Sequence, residues 1–293
     1  MKTGLFGIAV AFAAGLWAGG AVAAPPGNLP FGVYDPDGQF SNDRDVDIEH
    51  VFLPWEDVDL TSLIDADKYA AARDRALLIT VEPWTWTRDD RNTKDFLLNG
   101  IRQGYYDSNM RNVCRVIGAL NSPTSVRWAH EMEHDEGQFI WAGWRPEDYI
   151  DAFRRMMAIC KDAAPNINVV WSPLGHEGSQ AYYPGDDIVD LVGISVFGLE
   201  PWERKYLGRA LTYNELLEER YNRLKGFGKP IFVAEVGFSG SAEYIDTWDG
   251  QVAQERPDLP QLVGASYFNQ KEVYPWPNGF GLPDWRVSNR IIE

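Results

Sequence analysis

Positive charge is in short supply in this chain of 293 residues. Its 27 Lys and Arg stand against 43 Asp and Glu, a formal net charge of −16. A surface this acidic repels phosphate backbones and anionic lipid, which excludes nucleic acid as a partner and favours a neutral polymer. Histidine is scarce as well: His50, His130, His134 and His176 are all there are, so few imidazole metal sites are open to the chain. Cysteine is limited to Cys114 and Cys160, which allow one disulfide or two buried thiols. Repeats and low-complexity linkers are missing. After the N-terminal two dozen residues, no apolar run approaches the roughly 20 residues that span a membrane.

The one long apolar run has the build of an export signal. Lys2 precedes Leu5 to Trp17, and Ala21-Val22-Ala23 supplies the small residues of an A-x-A cleavage site. Residues 1–23 therefore read as a signal peptide and 24–293 as the mature domain. The expectation is a secreted or periplasmic protein, monomeric, with no integral membrane segment after cleavage.

What the chain has is a series of short apolar runs. Strands are expected at Phe31–Tyr34, Glu49–Trp55, Ala76–Trp84, Val126–Ala129, Asn168–Pro173, Ile188–Phe197, Lys229–Gly237 and Leu262–Asn269. Helical patterning falls between many of them: Asp65 to Arg75, a stretch up to Leu120, Pro146 to Ala164, Tyr213 to Lys225 and Glu243 to Glu255. Eight strands alternating with helices over about 270 residues predict an α/β fold, a single-domain (β/α)8 TIM barrel. A doubly wound open sheet would carry a Gly-rich phosphate turn after its first strand, and Tyr34-Asp-Pro-Asp-Gly38 is not one.

A barrel places its active site at the C-terminal strand ends. Those ends carry Trp55, Glu82, Trp84, Trp86, His130, Glu131, Glu133, Ser172, Phe197, Trp202, Glu235, Asn269 and Trp276. One tryptophan there is ordinary rim packing, but a set including Trp84, Trp86 and Trp276 suits stacking against sugar rings. Glu131 and Glu235 end strands four and seven, on opposite sides of the mouth. Strand alternation would put Arg127, Ala129 and Glu131 on one face, and Ile231, Val233 and Glu235 on another. If both faces point inward, two carboxyls meet above Arg127, whose charge would keep one ionised while their proximity raises the pKa of the other. That is the equipment of retaining glycoside hydrolysis.

The same stretch permits a different reading. His130-Glu131-Met132-Glu133-His134 spells H-E-x-x-H, the helical zinc-protease signature, with His130 and His134 as ligands and Glu131 as base. Ile140 stands where the longer form of the motif needs a third ligand. No metal or other cofactor is expected if the glutamates are a hydrolytic pair.

An ordered set of motifs resembles family 26 of the glycoside hydrolases, the β-mannanase family. It comprises Arg127-Trp-Ala-His-Glu-Met132, Phe139-Ile-Trp-Ala-Gly143, Arg145-Pro-Glu-Asp-Tyr-Ile150, Asn168-Val-Val-Trp-Ser-Pro173, Tyr182-Tyr-Pro-Gly-Asp-Asp187 and Val189-Asp-Leu-Val-Gly-Ile194. Lys229-Pro-Ile-Phe-Val-Ala-Glu-Val-Gly237 and Pro283-Asp-Trp-Arg-Val287 complete it. The resemblance implies a (β/α)8 barrel and retaining hydrolysis of a β-linked polysaccharide, mannan being the family's commonest substrate; Trp84 and Trp86 on one side of the mouth and Trp276 on another favour endo action on a polymer. It implies Glu131 as acid/base, Glu235 as nucleophile and His130 as the subsite residue beside the acid/base. Trp141 and Phe197 join Arg127, Trp84, Trp86 and Trp276 as expected substrate-binding residues.

Two departures bear on the substrate. Glu133-His-Asp-Glu136 replaces the Asn and short aromatic loop usual in the family. Phe197 stands where the family usually has a tyrosine bonded to the nucleophile, a bond that Tyr267 could supply instead. Mixed-linkage β-glucan, β-1,3-xylan and a bacterial exopolysaccharide stay open as substrates. A non-catalytic glycan-binding barrel is the remaining alternative.

Overall fold

The apolar runs become strands, and the strands close on themselves. In the computed structural model, which describes residues 23–85 and 92–292, eight parallel strands form a closed barrel in chain order. They are β1 (Phe31–Tyr34), β2 (Ile48–Pro54), β3 (Ala76–Glu82), β4 (Thr124–Trp128), β5 (Asn168–Trp171), β6 (Leu191–Leu199), β7 (Ile231–Ser239) and β8 (Leu262–Phe268). The helices are α1 (Thr61–Ala71), α2 (Lys94–Gln103), α3 (Asp107–Ile117), α4 (Pro146–Ala163), α5 (Glu200–Tyr206), α6 (Tyr213–Leu224) and α7 (Ala242–Val252). Among the described residues none is long and apolar enough to cross a membrane. The expected signal peptide lies almost wholly outside the described residues.

Local chemistry explains most boundaries. Thr93, Thr212 and Ser241 cap α2, α6 and α7, each accepting a backbone N–H with its hydroxyl, and Glu215 completes a capping box with Thr212. The helical stretch expected up to Leu120 is two helices, because Gly104 adopts φ 81° and ends α2. The helix expected from Asp65 begins at Thr61, where the Asp59 carboxylate accepts from both the backbone N–H and the hydroxyl of Thr61. Cys114 on α3 and Cys160 on α4 form a disulfide across the two helices that flank β4.

The barrel separates two layers. Outward residues such as Ile79, Val126, Val192, Val233 and Val236 join helix residues such as Met110, Phe153 and Leu217 in the main core. Inside, Leu78, Val170, Phe232 and Ala234 form a small apolar plug. Toward the C-terminal strand ends the inner lining turns polar: His50, Thr80, Arg127, Ser172, Ser195 and Ser266 are all buried.

One expectation about β7 is corrected. Phe232 and Ala234 face inward, while Ile231 and Val233 face the helices. Ile194 pairs with Val233 but Ser195 pairs with Glu235, so Ala234 is the extra residue of a β-bulge. The bulge reverses the alternation, and that is how Glu235 comes to face the barrel interior.

Candidate active site

β4 ends at Trp128, and the chain then turns sharply twice. Ala129 and Glu131 both occupy the left-handed region, at φ 46° and 56°, which costs residues with a Cβ on the order of 1 kcal/mol each. Four hydrogen bonds hold the turn. The Ala129 N–H donates to the Val81 carbonyl (3.3 Å) and the Glu131 N–H to the Ser172 carbonyl (2.8 Å). The Trp141 indole donates to the His130 carbonyl (2.7 Å) and the Tyr149 hydroxyl to the Ala129 carbonyl (3.2 Å). The turn therefore carries Glu131 back over the mouth of the barrel, a path that simple strand alternation does not describe.

There Glu131 meets Glu235. One side-chain oxygen of each, together with a ring nitrogen of His130, lie within 4.8 Å of one another. Their surroundings differ. The Ser195 hydroxyl donates to Glu131 Oε1 (2.5 Å), whereas Arg127 Nη2 donates to Glu235 Oε1 (2.5 Å). His130 Nε2 stands 3.9 Å from the same Glu235 oxygen.

The environments set the protonation. Burial and then the charge of Glu235 push the Glu131 carboxyl up to about 8, against the pull of Ser195 and Arg127. Burial raises Glu235 too, but the guanidinium bonded to it pulls the other way. The pair is thus set to carry one negative charge at neutral pH, and Arg127 places it on Glu235. Burial, with Arg127 and His50 nearby, holds the His130 pKa well down, so its ring is neutral. At the rim, burial lifts Glu82 and Glu272 to about 7, the latter accepting the Trp285 indole N–H at 2.8 Å.

The other expected site residues fall into three groups. Phe197 and Trp276 are half-buried at the mouth with ring centroids 6.3 Å apart, both against Trp285. Trp84 is half-buried against Trp141 and Phe139. Trp141 is fully buried, so it does not present a face to a ligand; it is a wall behind His130. Arg127 is also fully buried and engages Glu235, not a substrate. Trp86 lies outside the described residues.

The zinc-protease reading fails on backbone geometry. Residues 130–134 form no helix, and His134 pairs with Glu136 (3.2 Å) and packs on His176, with ring centroids 5.7 Å apart. Tyr267 does not bond to Glu235 either: its hydroxyl donates to the Trp285 carbonyl at 2.6 Å. Ser195 is the functional residue that sequence reasoning missed, although it shares its face of β6 with Phe197, two positions on.

Two carboxyls with an oxygen of each within 4.8 Å are compatible with the roughly 5–5.5 Å separation of retaining glycosidases. Known proteins agree in kind. Residues 113–255 match the model of Glycosyl hydrolase family 26. A β-1,3-xylanase of Alcaligenes sp. is 26% identical over 147 residues, 47% of this chain, and a β-1,3-xylanase of Vibrio sp. matches to the same extent. In both cases the match spans 28% of the relative's own length. Among solved structures, a β-mannanase from Bacteroides ovatus superposes with a TM-score of 0.60 at 18% identity, over 90% of this chain and 86% of that one. GH26C from Muricauda sp. gives 0.63 at 16%, over 85% and 79%. At such identities the structures attest the shared barrel.

Proposed function

From the match of residues 113–255 to the model of Glycosyl hydrolase family 26, we propose that the chain is a member of that family and an exported endo-acting hydrolase of a neutral β-linked polysaccharide, working with retention of configuration. The observation that carries this reading is the pair within 4.8 Å, Glu131 on a serine hydroxyl and Glu235 on a guanidinium.

The mechanism follows from those partners. Ionised Glu235 attacks the anomeric carbon while protonated Glu131 gives its proton to the departing glycosidic oxygen, leaving a covalent glycosyl ester. Forming the ester consumes the negative charge on Glu235. That charge is the second largest cause of the raised Glu131 pKa, so Glu131 becomes more acidic once the ester exists. Now ionised, it takes a proton from water, the water oxygen attacks the anomeric carbon, and Glu235 leaves as carboxylate. Arg127 does at the nucleophile what Phe197, lacking a hydroxyl, does not.

For the substrate we favour a β-mannan, in line with the resemblance in motif order. The two curated relatives favour β-1,3-xylan as a second reading. Incubating the mature protein with β-mannan, mixed-linkage β-glucan, β-1,3-xylan and casein, with and without chelator, tests both. A ladder of oligosaccharides from one β-glycan, unaffected by chelator, is expected. Binding without cleavage would mark a non-catalytic barrel, and cleavage of casein alone would overturn the reading. N-terminal sequencing of the exported protein tests removal of residues 1–23.

A further inference from the structure

Beneath the catalytic pair, the polar tier of the barrel contains groups that the mechanism above does not use. His50 on β2 and Thr80 on β3 are buried, at 2% and 0% exposure. Arg127 Nε lies 2.8 Å from Thr80 Oγ1, and His50 Nε2 lies 2.8 Å from the same oxygen. His50 Nδ1 lies 3.3 Å from Ser266 Oγ on β8. Phe52 stacks on the His50 ring at 4.5 Å and stands 5.4 Å under the Arg127 guanidinium.

The direction of each bond can be deduced. An arginine Nε–H only donates, so Thr80 Oγ1 accepts it. The hydroxyl's own hydrogen then has one acceptor in reach among the described residues, His50 Nε2. That leaves the proton of the neutral ring on Nδ1, donated to Ser266. Burial and the charge of Arg127 both keep His50 neutral. The order is thus Ser266, His50, Thr80, Arg127, Glu235, and every link but the last lies below the carboxyls.

Resting on the hydrolase reading, we propose that Thr80 and His50 are positioning residues for the nucleophile. They hold the Arg127 guanidinium by its Nε so that Nη2 stays on Glu235. Among the described residues Arg127 has one further side-chain hydrogen bond, to Ser172 Oγ at 3.4 Å, which is too long to fix the plane of the guanidinium alone. Without the Thr80 hydroxyl the fork can rotate about its stem, and Glu235 loses part of the charge that keeps it ionised.

The test is the acid limb of kcat/KM on an activated aryl β-glycoside, which reports ionisation of the nucleophile. Arg127, His130, Glu131, Glu82, Tyr34 and Glu272 all face Glu235 electrostatically, and the variants leave each in place. Thr80→Val should move the acid limb up by about one pH unit, a roughly tenfold loss below it, with KM little changed. Thr80→Ser, which keeps the hydroxyl, should bring the limb back. If Thr80→Val does not fold, His50→Leu against His50→Gln makes the same comparison, since glutamine keeps an acceptor toward Thr80. A carbon-13 titration of the Glu235 carboxyl reads the same shift without substrate. An acid limb in Thr80→Val coincident with wild type, or Thr80→Ser displaced just as far, would overturn the proposal. A wild-type chain that cleaves no glycoside while the titration still shifts would sink the hydrolase reading and leave the positioning intact.

Discussion

Replacing Ser195 with alanine separates the two carboxyls chemically without touching either. In the wild-type protein the Ser195 hydroxyl donates to Glu131 Oε1 at 2.5 Å, a bond that stabilises the ionised form and lowers its pKa. Removing the donor must raise that pKa further above about 8. A hydrogen bond to a charged group contributes roughly 1.5–3 kcal/mol. If water entering the vacated space restores about half, the remainder is about one pKa unit. The basic limb of kcat/KM reports loss of the proton from the acid in the free enzyme, so it should move up by about one unit. The acid limb, which belongs to Glu235 and Arg127, should stay where it is. The assay is initial rate against pH on a polysaccharide, because its leaving group needs the proton. A basic limb that stays put or moves down would refute the assignment of Glu131 as the acid.

Four further outcomes are expected. Glu235→Ala should abolish hydrolysis of every substrate, while Glu131→Ala should retain the first step only on aryl glycosides whose leaving group needs no proton; near-normal polysaccharide activity in both would rule out the pair. Because the folded pKa of Glu131 stands above its ordinary 4.5, the stability linked to its protonated form is complete below that value and lost as pH rises through about 8. Glu131→Gln should therefore show a flatter dependence of Tm on pH across that window, read by thermal scans. Cys114 and Cys160 lie 46 residues apart, a closure of about 4 kcal/mol in the chain-entropy model, so reduction or Cys160→Ser should lower Tm by about 10 °C. Trp276→Ala should weaken binding of long chains more than of disaccharides, measured by calorimetry with an inactive Glu235→Ala background.

The eight strands were legible because buried parallel strands are written as near-continuous apolar runs, as in Ala76–Glu82. The two glutamates were legible because each follows such a run. The route by which they meet was not. Glu235 faces inward through a bulge at Ala234, and Glu131 through two left-handed residues; neither leaves a mark on an alternation pattern. The letters of H-E-x-x-H were equally silent about whether a helix would form there. Trp141 shows the limit of a motif resemblance, since a tryptophan in such a motif reads the same whether it faces a ligand or backs a histidine. Thr80 and His50 went unnoticed because partners 30 and 47 residues away in sequence meet only when the barrel closes.

The bridge between α3 and α4 has a bearing on resistance to proteolytic cutting. It encloses the segment that holds Arg127, His130, Glu131 and Trp141, along with the exposed loop residues Asp135, Glu136 and Gly137. A protease that nicks this loop cannot set the fragments adrift, because the cut ends belong to a covalently closed circle. Glu131 would stay tethered to both halves of the barrel, and a clipped molecule would run as one species until a reductant is added.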